Sequence, residues 1–301
     1  MHRIKLPERT YENFGDPIVH LYQAASLARL SPNGFVVDCS AAKYLSPTLL
    51  CGVAALVRHH REQAIPCEAE PTCRDQGLQT YLQEIRFPDG LQGDWCDAVN
   101  RSAMQAVSAR RFVPIISFDA SVRPNMQRDE FLQGVEHELV VKCRLDGRMS
   151  SAMKYLLSEI TGNIFYHAGH GTGFLVAQFD HNNRFLDITI ADTGRGLRGT
   201  YVLSGKHMPK NDTEALRLAL DGHSAKAEKH RGFGIRTSRR MVVEGLGGQF
   251  LLWSGASMLI DNATGASIAE LTDGTSLPGC FFALRIPTMA PPTFSMMDYY
   301  E

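Results

Sequence analysis

The chain has 301 residues, 44% hydrophobic and 21% charged, the proportions of a soluble globular protein with room for two domains. Its formal net charge of -1 excludes general binding to nucleic acid or to an anionic membrane, since both need a strong basic excess. Seven cysteines, odd in number, scattered and without a Cys-x-x-Cys pair, point to reduced thiols in a cytoplasm rather than to a disulfide framework. The opening MHRIKLPERTYENFGD lacks the apolar core of a signal peptide. The longest apolar run, Leu49 to Val57, falls far short of the roughly 20 residues that span a bilayer. The expectation is a soluble, cytoplasmic protein.

In chain order, Gly34 to Asp38 reads as a short buried strand after the turn Ser31-Pro32-Asn33-Gly34. Ser46 followed by Pro47 is a helix start, serine as cap and proline at the first helical position, and the helix runs through LLCGVAALVRHHRE. A strand over Ile65 to Glu70 and a helix over Arg74 to Ile85 complete an α/β layer unit. Phe112 to Phe118 suits a connecting or edge strand because of its proline. Residues 119–128 read as a polar linker, followed by helices over about 129–145 and 148–168. A hairpin follows, with Phe174 to Phe179 and Phe185 to Ile190 joined at Asp180 to Asn183. Helices over 212–222 and 234–245 come next, then about three strands between Gln249 and Pro287. The domains expected are 1–118, a connecting stretch over 119–147, 148–290, and a tail over 291–301. A loosely ordered end is the expectation for that tail, with a homodimer contact as the alternative.

Three motifs carry chemistry. Glu159 and Asn163 lie four residues apart in SEITGNIFYHA, so both face one side of a helix. The amide oxygen of Asn163 suits Mg2+, a hard cation shared with phosphates, and Glu159 can polarise a water for attack on a terminal phosphate. His167, one turn on, continues that face. Asp192 ends an apolar strand and leads Thr193-Gly194-Arg195-Gly196; its carboxylate can accept from the exocyclic amine of adenine while Gly194 and Gly196 admit a flat ligand. Arg231-Gly232-Phe233-Gly234-Ile235 opens a helix whose first N–H groups can hold phosphate, with Lys226, Lys229, His230 and Arg231 as cations nearby. Taken singly, each motif also fits a plain structural role: a solvated helix face, a strand-end turn and a polar loop.

In this order the motifs resemble the ATP-binding domain shared by gyrase, chaperone, histidine-kinase and mismatch-repair ATPases, the GHKL or Bergerat-fold superfamily, over about 148–287. The resemblance implies a mixed sheet covered by helices on one face, Mg-ATP as ligand, and a mobile lid over 197–231. It assigns Glu159 and Asn163 to the first box, Asp192, Gly194 and Gly196 to the second, and Gly232 and Gly234 to the third. Cys280 stands where the family usually has threonine. Asn163 followed by His167 and Ala168 is similar to the serine-kinase branch that regulates bacterial sigma factors. VVDCSAAKYLSPTLLCGVAAL resembles the core of STAS domains, with Ser46 and Pro47 where partner-switching members carry aspartate and the phosphorylated serine. The amino-terminal unit is therefore expected as a STAS-like docking module for a protein partner or as an interdomain brace.

The expected function is a regulatory protein that binds ATP and Mg2+ and hydrolyses ATP slowly, its lid controlling protein partners. The alternatives are an anti-sigma-type serine/threonine kinase and a non-catalytic nucleotide-gated switch. A topoisomerase-type machine is not expected, because only 14 residues follow Pro287 and a transducer domain would need more. His167 and His170 have the spacing of a metal pair but no third ligand in sequence, and His137, between Glu136 and Glu138, reads as solvated.

Overall fold

The computed structural model describes residues 1–10, 14–70, 72–92, 112–121, 133–140, 145–180, 184–223, 225 and 234–299. Of the expected features, residues 93–111, most of the 119–128 linker, the tip of the hairpin turn and Arg231 to Phe233 lie outside them.

The amino-terminal unit alternates β1 (His2–Lys5), α1 (Asp16–Arg29), β2 (Phe35–Asp38), α2 (Pro47–Glu62), β3 (Cys67–Glu70) and α3 (Gln76–Glu84). Its three strands form a parallel sheet in the order β1-β2-β3. As expected, Ser46 caps α2 by accepting from the Leu49 N–H at 3.2 Å, with Pro47 at the first turn. Neither β1 nor α1 was expected, although Asp16-Pro17 followed by Ile18, Leu21, Ala24, Ala25 and Ala28 is a helix start with a buried stripe.

The second sheet has eight strands: β4 (Leu91–Gln92), β5 (Phe112–Asp119), β6 (Thr172–Asp180), β7 (Phe185–Asp192), β8 (Gln249–Gly255), β9 (Ser257–Asn262), β10 (Gly265–Glu270) and β11 (Leu277–Pro287). Their spatial order is β10-β9-β8-β11-β7-β6-β5-β4, antiparallel except for the short β4–β5 pair. β5 is not an edge strand. Its Pro114 is accommodated where the β5–β6 register slips between Val113 and Ile116, an irregularity that spares a ladder hydrogen bond. Around this sheet lie α4 (Gly147–His167), α5 (Gly196–Ser204), α6 (Asp212–Leu220) and α7 (Gly234–Arg240), the last running directly into a π-helical turn at Met241–Gly245. Residues 133–140 are also helical, with His137 exposed as expected.

The expectation of helices on one face only is corrected. Strand residues alternate between two buried faces: Leu175, Ala177, Phe250, Leu252, Phe282 and Leu284 pack with α4, α6 and α7. Phe174, Val176, Leu251, Trp253, Phe281 and Ala283 share a second core with α1 and α2. The central strands carry large apolar residues on both faces, so a single helical layer would leave Trp253 and Phe281 in water. Instead α2 covers them, its Gly52 against Leu21 and Phe281, and its Thr48 donated to by the Thr189 hydroxyl at 3.0 Å. Ser46 and Thr48 are consequently buried rather than presented for phosphorylation.

Phe281→Ala should cost about 3–5 kcal/mol in urea denaturation, because it empties the core between α2 and the sheet. A loss below about 1 kcal/mol would mean that α2 does not pack there.

Candidate functional site

α4 is set by Asp146, whose carboxylate accepts from the Arg148 and Met149 N–H groups at 3.0 and 2.9 Å. Met149, Met153, Leu156, Leu157, Ile160 and Ile164 form its buried stripe against the sheet. Glu159 and Asn163 flank that stripe and are half-buried, as helical spacing requires of a pair at the border between core and cleft.

Asp192 ends β7 and is 4% exposed. One carboxylate oxygen accepts from the Gly194 N–H at 2.8 Å and the other from the Cys280 N–H at 3.0 Å. Burial pushes its pKa up to about 6, against the downward pull of those two N–H donors. The second donor lies one residue beyond the last β11–β7 pair, Phe281 with Ala191, where β11 also slips register against β8 between Leu277 and Cys280. Gly279, at φ +59°, sits in that slip, and a Cβ there would collide with the Asp192 carbonyl and carboxylate oxygens. Ser254 on β8 ties the neighbourhood together, donating to the Gly279 carbonyl at 2.9 Å and accepting from the Leu197 N–H at the start of α5 at 3.0 Å.

These elements line one cleft, partly open to solvent, with a cavity volume of about 60 Å³. Asn163, His167, Asp192, Gly196 and Ile235, all expected from sequence, line it. Its apolar walls come from Leu197, Tyr201, Ala219, Cys280 and Phe282. Glu159 and Gly234 are not in the wall but adjoin it: a Cβ on Gly234 would collide with the Glu159 carboxylate, so that carboxylate lies against the first residue of α7. Gly194 packs on Ala168 at the end of α4 instead of lining the cleft. Arg231, Gly232 and Phe233 lie outside the described residues. No family model, curated protein or solved structure matches the chain.

Other side chains near the cleft have structural partners. Arg239 pairs with Asp261 at 2.8 Å, and Arg240 with Glu244 at 3.3 Å. His170 is exposed, and no group of three or more metal-binding side chains occurs among the described residues. Of the stretch implied as a lid, residues 197–204 and 212–220 are helical, and the second of these helices is docked on the sheet. The Asp212 carboxylate accepts from the Ala256 N–H at 2.8 Å, the Thr213 hydroxyl donates to that of Ser257 at 3.1 Å, and Ala215, Leu216 and Ala219 are buried. Beside it, Tyr201 donates to the His223 carbonyl at 2.7 Å, joining α5 to the chain that follows α6. Gly279, Ser254 and Tyr201 were missed as site residues. The Pro278-Gly279 pair inside a strand pattern was the available signal, since glycine there often marks a bulge. No helix among the described residues is long and apolar enough to cross a membrane.

Two outcomes are expected. Gly279→Ala should cost at least about 2 kcal/mol in urea denaturation, through the left-handed backbone and the collision with Asp192. The Asp192 carboxyl, with a folded pKa of about 6 against an ordinary 3.8, holds its proton more tightly folded than unfolded, so its contribution favours the fold at low pH and falls as pH rises from about 4 to 6. Relative to Asp192→Ala, the wild type should therefore lose up to about 3 kcal/mol across that window. A difference between the two proteins that stays flat with pH would refute the perturbed carboxyl.

Proposed function

We propose that the cleft binds Mg-ATP and that the protein is a slow ATPase of regulatory character. The observation that carries this reading is Asp192: a buried carboxylate held by two backbone N–H groups at the floor of an apolar slot. Ionised, such a group only accepts, so its natural ligand is a flat ring bearing an amine, as adenine does. Asn163 and His167 line the same slot on α4, and Glu159 stands one turn back from Asn163, so the ring end and a polar end are separated as a nucleotide requires.

The chemistry of the polar end fits magnesium. Mg2+ binds through one or two protein oxygens, several waters and the substrate's phosphates. Asn163 would supply its amide oxygen. Bound there, the ion would neutralise phosphate charge. Glu159, against the start of α7, is placed to take a proton from an attacking water or hydroxyl. Cys280, in the position the family usually gives to threonine, contributes its backbone N–H to Asp192, a role that does not depend on its side chain. On this reading the eight-stranded sheet with α4–α7 is a Bergerat-type domain, and the amino-terminal unit with its three-stranded sheet is a STAS-like unit docked on its free face.

Calorimetry with ATP and Mg2+, together with γ-labelled ATP, tests the reading. Asp192→Asn should weaken binding about 10- to 100-fold, the worth of a hydrogen bond to a charged acceptor. Glu159→Ala should keep binding within about threefold yet cut turnover about 100-fold or more. Label in free phosphate supports the ATPase. Label on a serine or threonine of an added protein would make it a kinase, and bound nucleotide without turnover would leave a switch. If ATP does not bind at all, the proposal fails.

A further inference from the structure

α2, from the amino-terminal unit, ends beside the Asp192 loop. Its last residue, Glu62, accepts through one carboxylate oxygen from the Thr172 hydroxyl at 2.8 Å and through the other from the Thr193 hydroxyl at 2.6 Å. Thr193 is the residue next to Asp192. The same Thr193 hydroxyl oxygen accepts from the Thr172 N–H at 2.8 Å, while the Thr193 N–H donates to the Thr172 carbonyl at 3.0 Å. Arg58, one turn back on α2, donates to the Thr172 hydroxyl at 2.9 Å and pairs with Glu62 at 3.4 Å. From there the chain of bonds continues through Asp192 to Gly194 and Cys280.

We infer that Glu62 is a positioning residue of the cleft, through which the amino-terminal unit sets the Asp192 loop and through which occupancy of the cleft is felt in α2. This rests on the proposed nucleotide site. Two physical points carry it. Thr193 is 1% exposed, so its hydroxyl, deprived of Glu62, would be a buried donor without an acceptor, and the loop would have to shift to satisfy it. The shift would be felt directly at Asp192, whose hydrogen-bond partners among the described residues are the Gly194 and Cys280 N–H groups and whose neighbour on one side is Thr193. Linkage then makes the effect reciprocal: whatever α2 does to ligand affinity, ligand does to the end of α2. The brace expected of the amino-terminal unit becomes a two-way contact with the site.

The test uses the full-length protein, ATP with Mg2+ as the probe, and a double-mutant cycle. Glu62→Ala should weaken ATP binding about tenfold, the size of coupling found between residues of one hydrogen-bond network, and should add nothing further in an Asp192→Asn background. Glu62→Gln, which keeps one acceptor oxygen, should fall between Glu62→Ala and wild type. Hydrogen exchange gives a second readout that mere structural support would not move: ATP should slow exchange at residues 58–63 in the wild type and not in Glu62→Ala. Should Glu62→Ala fail to fold, Glu62→Gln and Thr193→Val carry the same comparison. Unchanged affinity in a folded variant, or a loss that simply adds to that of Asp192→Asn, overturns the inference and leaves the nucleotide reading standing. A wild type that does not bind ATP overturns both.

Discussion

Burying a carboxylate on backbone N–H groups, with no cation beside it among the described residues, is among the costliest things a fold can do, and the organisation of this sheet follows from how it is done at Asp192. Two backbone N–H groups must converge on one side chain from a turn and from a neighbouring strand. One comes from the turn two residues on and needs no special arrangement. The other comes from β11 at Cys280, just beyond the last residue paired with β7. Gly279 before it, at φ +59°, lets the chain pass close against Asp192, and Ser254 holds the Gly279 carbonyl. α5 then starts where Ser254 can also accept its first free N–H. A glycine, a serine and a helix start are thus consequences of one buried charge.

The second constraint is the two-sided burial of the same strands. A β-strand sends alternate side chains to opposite faces, and here both sets are large and apolar, so the sheet cannot face water on either side. α4 with α6 and α7 covers one face, α2 with α1 the other. That placement brings the carboxyl-terminal end of α2 level with the end of β7. Because α2 is held along its length by apolar contacts, its last turn is fixed in space, and the polar residues there, Arg58 and Glu62, meet Thr172 and Thr193 without further device. A hydrophobic requirement of the sheet therefore delivers a polar contact to the cleft.

How much of this could be read from sequence depends on whether the determining contact was local. Ser46-Pro47, the Glu159–Asn163 spacing, the hairpin strands and the helix beginning at Gly234 are local patterns, and each appears where its pattern placed it. Asn163, His167, Asp192, Gly196 and Ile235 meet in one cleft because each lies at an element's end or border, which periodicity and glycine positions mark. The bulge at Gly279 depends on a strand 87 positions from Asp192, and the Glu62–Thr193 bond spans 131 residues, so neither has a local signature. The covering of the second face was missed for a related reason. Near-continuous apolar strands do say that both faces are buried, but not which segment of the chain does the burying. β1 and α1 are different, since the stripe from Ile18 to Ala28 was legible and was passed over with the polar opening of the chain.

On the proposed reading, the energetics of Asp192 also bear on which base the cleft prefers. With its two N–H donors the carboxylate still sits near a pKa of 6, so near neutrality its charge is compensated only in part. A third donor from a ligand would stabilise the ionised form and recover some of the cost of burial. A ring presenting an exocyclic amine supplies that donor, whereas a ring presenting a carbonyl oxygen at the same place sets two acceptors against each other in an apolar slot. The penalty for the wrong ring is then the proton that the carboxyl must take up before it can donate, a modest cost near neutrality for a group with a pKa of about 6, so Asp192 biases the choice between rings of nearly equal size. Any shift of the loop that moves Asp192 weakens both sides of that discrimination at once, which is why the contact from α2 bears on ligand choice as well as on affinity.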